Sequence, residues 1–354
     1  MRMLTLPSPP KVSESDSEPS IVREASVRDA TVDVYLRPAD LRRALVTEVK
    51  AGLSHAPKEL SPKWLYDERG SNLFDQITRL PEYYPTRRER EILLARAAEI
   101  ASLSGADTLV ELGSGSSEKT RILLSALASG GTLRRFIPFD VSEAMLRLAA
   151  NRVAHDYHGV AVHAVVGDFE HHLRKLPRGG RRLVAFLGGT IGNFKPELRG
   201  MFLRELATTL APGDGLLLGT DLIKDRTRLH AAYNDAAGVT AEFNLNLLAV
   251  LNRELGADFH LGHFRHEASF NEEHHWIEMH LRSTRRQRVH FEALQMNVDF
   301  AEGERMRTEV STKFTQDQVE RELAAAGFTL SRFFTDADGD FGLSLAVRGP
   351  LPTQ

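Results

Sequence analysis

A strand–turn–helix rhythm between residues 108 and 221 constrains this chain more than any other feature. Thr108–Leu112, Arg135–Phe139, Ala161–Val166, Leu183–Leu187 and Gly215–Asp221 are short apolar runs that read as strands. Between them lie helical patterns at Glu118–Leu127, at Pro196–Leu210, and after Ser142, whose cap would place Met145, Leu146 and Ala149 on the buried face. Strands that are apolar along their whole length need cover on both faces, and parallel strands need crossovers of helical length. The expected class is therefore α/β, a parallel sheet with helices on either side. Pro138 lacks an amide donor and suggests an irregular or edge position for its strand.

The rhythm stops near residue 222. Thr227–Ala237 and Thr240–Leu255 read as helices, and the stretch His274–Ser283 alternates, with Ile277, Met279 and Leu281 on one face and Glu278, His280 and Arg282 on the other. It resumes after residue 313, where Thr315 and Gln318 form a capping-box pair for a helix ending at Gly327. Strands follow near Thr329–Phe334 and Leu343–Val347. A sheet domain interrupted by an inserted α+β region accounts for this order. Ahead of it, Leu41, Leu45 and Val49 repeat at helical spacing, with Gly52 as the expected cap. Pro7–Ser20 is almost wholly Pro, Ser and acidic residues, a composition that cannot bury enough surface to order itself.

Ligands of open α/β sheets bind at the carboxyl ends of the strands. The first strand ends in Glu111-Leu-Gly113-Ser-Gly115-Ser-Ser-Glu118, a dinucleotide-like turn whose third glycine is replaced by Glu118. A pyrophosphate would face that carboxylate, whereas a cationic ligand would tolerate it. The second strand ends in Asp140, suited to ribose hydroxyls, and the third in Asp168-Phe169, an acceptor for an adenine amine beside a ring that can stack. The fourth runs into Gly188-Gly-Thr-Ile-Gly-Asn193, where glycines admit close approach and an amide both donates and accepts. Taken singly, each is compatible with a plain turn or a helix cap. Together they fit a ligand with adenosine and a sulfonium but no phosphate.

Composition removes other classes. Lys and Arg number 45 against 48 Asp and Glu, a net charge of −3 that gives no basic field for nucleic acid or anionic membrane. The absence of cysteine excludes disulfides, thiolate metal sites and cysteine nucleophiles. His260, His263, His266, His274 and His275 lack an HExxH pattern and read as a polar segment, so no metal is expected. With no apolar run long enough to span a bilayer and no apolar signal core in its first residues, a cytoplasmic location is expected.

Lys63–Glu89, Glu111–Thr120, Phe139–Leu146, Gly188–Phe194 and Glu309–Phe314 together resemble the L-histidine Nα-methyltransferases of ergothioneine biosynthesis. The resemblance spans about residues 35–348. It implies a Rossmann-like S-adenosylmethionine methyltransferase sheet interrupted by a substrate-binding domain, and transfer of three methyl groups to the α-amino group of L-histidine. The implied division is a tail at 1–34, a substrate-binding part at 35–87 and 222–313, and a methyltransferase part at 88–221 and 314–348. It also implies that Tyr66, Gly113, Lys119, Asp140, Asp168 and Phe169 bind S-adenosylmethionine. Asp140 would take the ribose, Asp168 the adenine amine and Lys119 the methionine carboxylate. Tyr83, Asn193 and Tyr233 would hold the backbone end of histidine, Glu309 and Ser311 its imidazole, with Phe74 and Met279 as apolar walls. Tyr66 and Asn193 would lie closest to the reacting atoms. No metal, nucleic acid or membrane is implied, and a monomer is expected.

Glu309 and Ser311 are two apart and so share a face on a strand. A carboxylate can accept one imidazole N–H, and a hydroxyl can serve the other nitrogen as donor or acceptor. The rival readings are methylation of a different amine, a nicotinamide-dependent oxidoreductase, and a non-catalytic S-adenosylmethionine sensor.

Overall fold

The five apolar runs all become strands, and their helices fall on both faces of one sheet. The structure, a computed structural model, describes residues 30–115 and 117–350; the Pro- and Ser-rich stretch lies outside them. The first elements are β1 (Thr31–Val34), α1 (Pro38–Leu53), β2 (Lys58–Glu59), α2 (Glu68–Ile77) and α3 (Pro85–Ser104). The alternating part follows as β3 (Thr108–Leu112), α4 (Thr120–Ser129), β4 (Arg135–Asp140), α5 (Glu143–Asp156) and β5 (Ala161–Val166). It continues through β6 (Arg182–Phe186), α6 (Pro196–Thr209) and β7 (Gly215–Asp221). The inserted region holds α7 (Arg226–Tyr233), α8 (Val239–Leu255), β8 (Phe264–Asn271), β9 (Trp276–Ser283), β10 (Gln287–Phe291), β11 (Met296–Phe300) and β12 (Arg305–Thr312). The chain closes with α9 (Gln316–Ala325), β13 (Phe328–Thr335) and β14 (Phe341–Arg348).

The large sheet runs β1-β5-β4-β3-β6-β7-β14-β13. Its first six strands are parallel, and the β13–β14 hairpin adds antiparallel to β7. The order reverses at β3, so the crevice for a ligand opens at the carboxyl ends of β3 and its neighbours. Adjacent residues of β3 feed opposite cores. Leu109 packs with Ile92, Leu123 and Leu146 on one side, and Val110 with Phe202, Leu206 and Leu323 on the other. A third core joins α1, α2, α7 and α8 to the smaller sheet β2-β12-β9-β8 and the β10–β11 hairpin.

Several local expectations are corrected. The tail does not extend to residue 34, because Thr31–Val34 pairs in parallel with His163–Val166. That strand covers what would otherwise be an open edge of β5 and packs Val32 on the core. Pro138 lies in an interior strand; the β4–β5 register omits Ile137 and Pro138, while the β3 side pairs Pro138 with Glu111. Gly52 is within α1 rather than capping it. A Cβ there would come within 2.0 Å of the Glu59 carbonyl oxygen, so glycine permits the return of the chain into β2. Met145 is exposed and Ser142 makes no side-chain capping bond, because α5 buries Leu146, Ala149, Ala150 and Val153 instead. Around α9 Thr315 caps as expected, but the Gln318 side chain bonds Glu322.

Candidate active site

At the carboxyl end of β3 the chain turns sharply. Gly113 and Gly115 have φ of +71° and +48°, and a side-chain carbon at either would meet nothing within 4 Å. The turn is thus an open cradle lined by main chain. Asp140, at the end of β4, braces it by accepting from the amides of Gly115 and Ser142, both at 2.9 Å. Burial raises the Asp140 carboxyl above its ordinary value, against those amide bonds. Beneath the turn, Glu111 accepts from the hydroxyls of Ser114, Ser117 and Thr120. Burial pushes its carboxyl up to about 7. Carboxylates below and beside the cradle suit ribose hydroxyls and a cationic centre and oppose a pyrophosphate. An adenosine-bearing sulfonium therefore fits the groups present.

Asp168 follows β5, with Oδ1 accepting the Glu170 amide at 2.8 Å and Oδ2 3.7 Å from Lys63 Nζ. Phe169, half-buried, meets Phe186, Phe194 and Phe202 edge-on at ring separations of 5.5–6.0 Å. Lys119 is not a free cation. Its ammonium pairs with buried Glu89, whose other oxygen accepts the Gly188 amide at 2.7 Å. Glu89, which sequence reading missed, thereby links α3 to the turns after β3 and β6.

A second group of side chains converges between the large sheet and the smaller one. Tyr66 follows the 3-10 turn Pro62–Leu65 and meets Phe74 of α2 at 5.4 Å and Phe243 of α8 at 5.3 Å. Phe74 lies 6.0 Å from Tyr83, and Tyr83 lies 6.4 Å from Tyr233 at the end of α7. The Tyr233 hydroxyl is 2.7 Å from Ser311 Oγ. On the third side Asn193, at the end of the 3-10 turn Thr190–Asn193, donates Nδ2 to Glu309 at 3.2 Å and to the Val310 carbonyl at 2.8 Å. That turn approaches β12 closely: a Cβ at Gly192 would be 3.0 Å from the Thr312 carbonyl oxygen. Met279 is buried and stands opposite Glu309 in the ladder.

The inward direction of Glu309 and Ser311 depends on a bulge. Met306 faces Leu281 on the core side, so simple alternation would turn Thr308 and Val310 inward and Glu309 and Ser311 outward. The register shifts between Arg307 and Glu309, leaving Thr308 as the extra residue. Beyond it Glu309 stands opposite Met279 and Ser311 opposite Ile277, on the apolar face. Burial raises the Glu309 carboxyl to about 7, with Lys313 and Asn193 pulling the other way. Burial, and then neighbouring acidic and phenolic groups, push the hydroxyls of Tyr66, Tyr83 and Tyr233 well above their ordinary values. These tyrosines are neutral phenols near pH 7.

Sequence reading also missed Lys313 and Asp221. Lys313 is fully buried, with Nζ 2.9 Å from Asp221 Oδ2, 2.9 Å from the Tyr233 hydroxyl and 2.8 Å from Ser311 Oγ. Burial alone would raise the Asp221 carboxyl, but Lys313 and Lys224 hold it below its usual value. The two-residue spacing of 309, 311 and 313 was the available signal. The histidines flagged earlier are engaged elsewhere: His260 stacks on His263, and His266 bridges Asn244 and the Tyr233 carbonyl. Among the described residues, two groups have metal-ligand spacing. Asp336, Asp338 and Asp340 are paired with Arg88 and Arg228, while Asp168, Glu170 and His171 adjoin Lys63. No helix among the described residues is long and apolar enough to cross a membrane.

The family pattern described as histidine-specific methyltransferase, SAM-dependent, matches residues 45–348. The chain is 59% identical over 314 residues to a histidine N-alpha-methyltransferase of Mycolicibacterium smegmatis, covering 89% of this chain and 98% of that protein. To the histidine N-alpha-methyltransferase of Mycobacterium tuberculosis it is 59% identical over 305 residues, 86% of this chain and 95% of that one. A third relative, ergothioneine biosynthesis protein 1 of Neurospora crassa, is 32% identical over 328 residues. This covers 88% of this chain but 36% of that longer protein.

Proposed function

Because the chain belongs to the histidine-specific, S-adenosylmethionine-dependent methyltransferase family, we propose that it trimethylates the α-amino group of L-histidine to hercynine, opening ergothioneine biosynthesis. One observation carries the choice of substrate. The bulge at Thr308 turns a carboxylate and a hydroxyl two residues apart into an aromatic-walled pocket that Asn193 ties to the rim of the large sheet. An acceptor for one imidazole N–H and a hydroxyl for the second nitrogen would be left unpaired by an apolar ring, which is how such sites discriminate.

In this reading Gly113, Asp140, Asp168 and Phe169 hold the adenosine end of S-adenosylmethionine, and Lys119, sharing its charge with Glu89, the methionine carboxylate. When bound, it supplies a methyl group already activated on a sulfonium. The residues of the chain have three tasks. Tyr83, Asn193 and Tyr233 orient the amine, Asn193 through the amide oxygen left when Nδ2 bonds Glu309 and Val310. Phe74 and Met279 exclude water. Tyr66, held as a neutral phenol, offers a π face to the growing cation rather than acting as a strong base. Alignment and desolvation then provide the rate.

Two spans, 35–87 with 222–313, form the substrate part, and 88–221 with 314–348 the methyltransferase part. Supporting this division, one core draws on residues 45–84 and 229–306, while the cores flanking the large sheet draw mainly on the rest. The chain works as a cytoplasmic monomer on small molecules, without nucleic acid, membrane or metal, since a sulfonium needs no Lewis acid. A chelator is expected to leave turnover unchanged. Mass spectrometry of L-histidine incubated with protein and S-adenosylmethionine tests the reading. Mono-, di- and trimethylated products are expected, ending when the amine has no lone pair. Unaltered histidine beside another methylated amine would contradict it.

A further inference from the structure

Buried Lys313 lies behind the pocket, with its ammonium enclosed by protein. An ammonium has three N–H donors and no acceptor. All three are used, on Asp221 Oδ2, the Tyr233 hydroxyl and Ser311 Oγ, at 2.8–2.9 Å. The two hydroxyls also lie 2.7 Å apart, so one donates to the other. Of their two protons, one is spent between them and one is left for a ligand.

The direction of that shared bond decides what the pocket offers. If Ser311 donated to Tyr233, the phenol proton and not the serine proton would be the one left for the ligand. If Tyr233 donates, its proton goes to Ser311 and its oxygen accepts from Lys313, so it is satisfied. Phenol is also the stronger acid and the better donor of the two. Ser311 Oγ then receives from both Lys313 and Tyr233, filling its lone pairs, and only its own O–H faces the pocket.

We propose that Lys313, anchored by Asp221, is a specificity-determining positioning residue that fixes Ser311 as a donor, so that the pocket selects a ring bearing one bare nitrogen and one N–H, the neutral imidazole. The inference rests on the reading of Glu309 and Ser311 as the imidazole site. It settles the role of Ser311, which the spacing in sequence left open between donor and acceptor. Asp221 keeps the ammonium in place from the other side, itself held by Tyr84 at 2.9 Å and by Lys224. The buried charges also balance. Above about pH 7, where Glu309 is ionised, Lys313 and Lys224 stand against Asp221 and Glu309, leaving no charge for an imidazolium to neutralise.

Lys313→Met, Ser311→Ala and the double variant, made in the full chain, test this with histidine kinetics and S-adenosylmethionine calorimetry. Lys313→Met is expected to raise the histidine KM about tenfold, as for one lost hydrogen bond to a charged or oriented group, with cofactor affinity unchanged. In the double variant the KM should match Ser311→Ala to within about twofold, because Lys313 acts through that hydroxyl. Multiplying effects, or an unchanged KM in Lys313→Met beside a raised one in Ser311→Ala, would overturn the proposal. If Ser311→Ala itself leaves the histidine KM untouched, the imidazole site is wrong and the proposal falls with it, a separable result. Should Lys313→Met fail to fold, Lys313→Met with Asp221→Asn removes both members of that ion pair, leaves Lys224 to the Tyr84 hydroxyl and the Leu222 carbonyl, and carries the same expectations. Loss of the fold in both would make Lys313 structural and overturn the proposal.

Discussion

The rim of the large sheet and the pocket under the smaller sheet are built by different means. At the rim the working groups are main-chain amides and strand-end carboxylates within a few residues of one another, as in Gly113, Gly115 and Asp140. In the pocket they are side chains from many separate segments, from Tyr66 to Ser311, positioned by aromatic contacts and one bulge. In the proposed reading the rim takes the methyl donor and the pocket takes the acceptor amino acid. Changes at the rim should therefore cost the cofactor, and changes in the pocket should cost the amino acid.

The largest effect is expected at the rim. Asp140→Ala removes both the proposed ribose acceptor and the brace on Gly115, so calorimetry should show S-adenosylmethionine affinity falling by about a hundredfold or more. Unchanged affinity would take Asp140 out of the site. Next comes Glu309→Ala, expected to raise the histidine KM by about a hundredfold while moving that for S-adenosylmethionine within about twofold. Equal losses for both ligands would erase the contrast between the two regions.

A third effect sharpens the contrast by pH. Burial lifts the Glu309 carboxyl to about 7, and in its proposed role it accepts an imidazole N–H most strongly when ionised. As pH falls through 7 it takes up a proton, so the histidine KM should rise by up to about tenfold per unit. Glu309→Gln, which cannot titrate, isolates this from the protonation of free histidine; identical pH profiles would exclude Glu309 as the cause. The smallest effect is expected where the regions meet. In Gly192→Ala the new methyl would press on the Thr312 carbonyl at 3.0 Å, shift Asn193, and lower kcat/KM for histidine a few-fold, about 1 kcal/mol. Cofactor binding should stay as it was, and a matching loss there would mean that the two regions are not separable.

Legibility in the sequence followed the same divide. β3, β5 and β7 and the acidic strand ends were readable residue by residue, because a periodic apolar run and a glycine turn are local signals. Thr31–Val34 was not, since four residues beside a polar tail carry almost no periodicity and the strand exists through its pairing with β5. Pro138 marked an irregular place in the ladder, as its missing donor suggested, but not an edge: β4 is interior, and its pairing with β5 is interrupted at Ile137 and Pro138. For Glu309 and Ser311 the spacing gave a common face but not which face, since parity was reset at Thr308. Lys313 escaped notice because a buried lysine is recognised by its partners, Asp221 and Tyr233, about 90 and 80 residues away in the chain.

The most direct test of the account is calorimetric titration of L-histidine and of L-phenylalanine into protein saturated with S-adenosylhomocysteine. The account predicts a preference for histidine of about a thousandfold or more, collapsing in the Glu309→Ala, Ser311→Ala double variant. Equal binding of the two amino acids, or a preference that survives loss of both side chains, would contradict it.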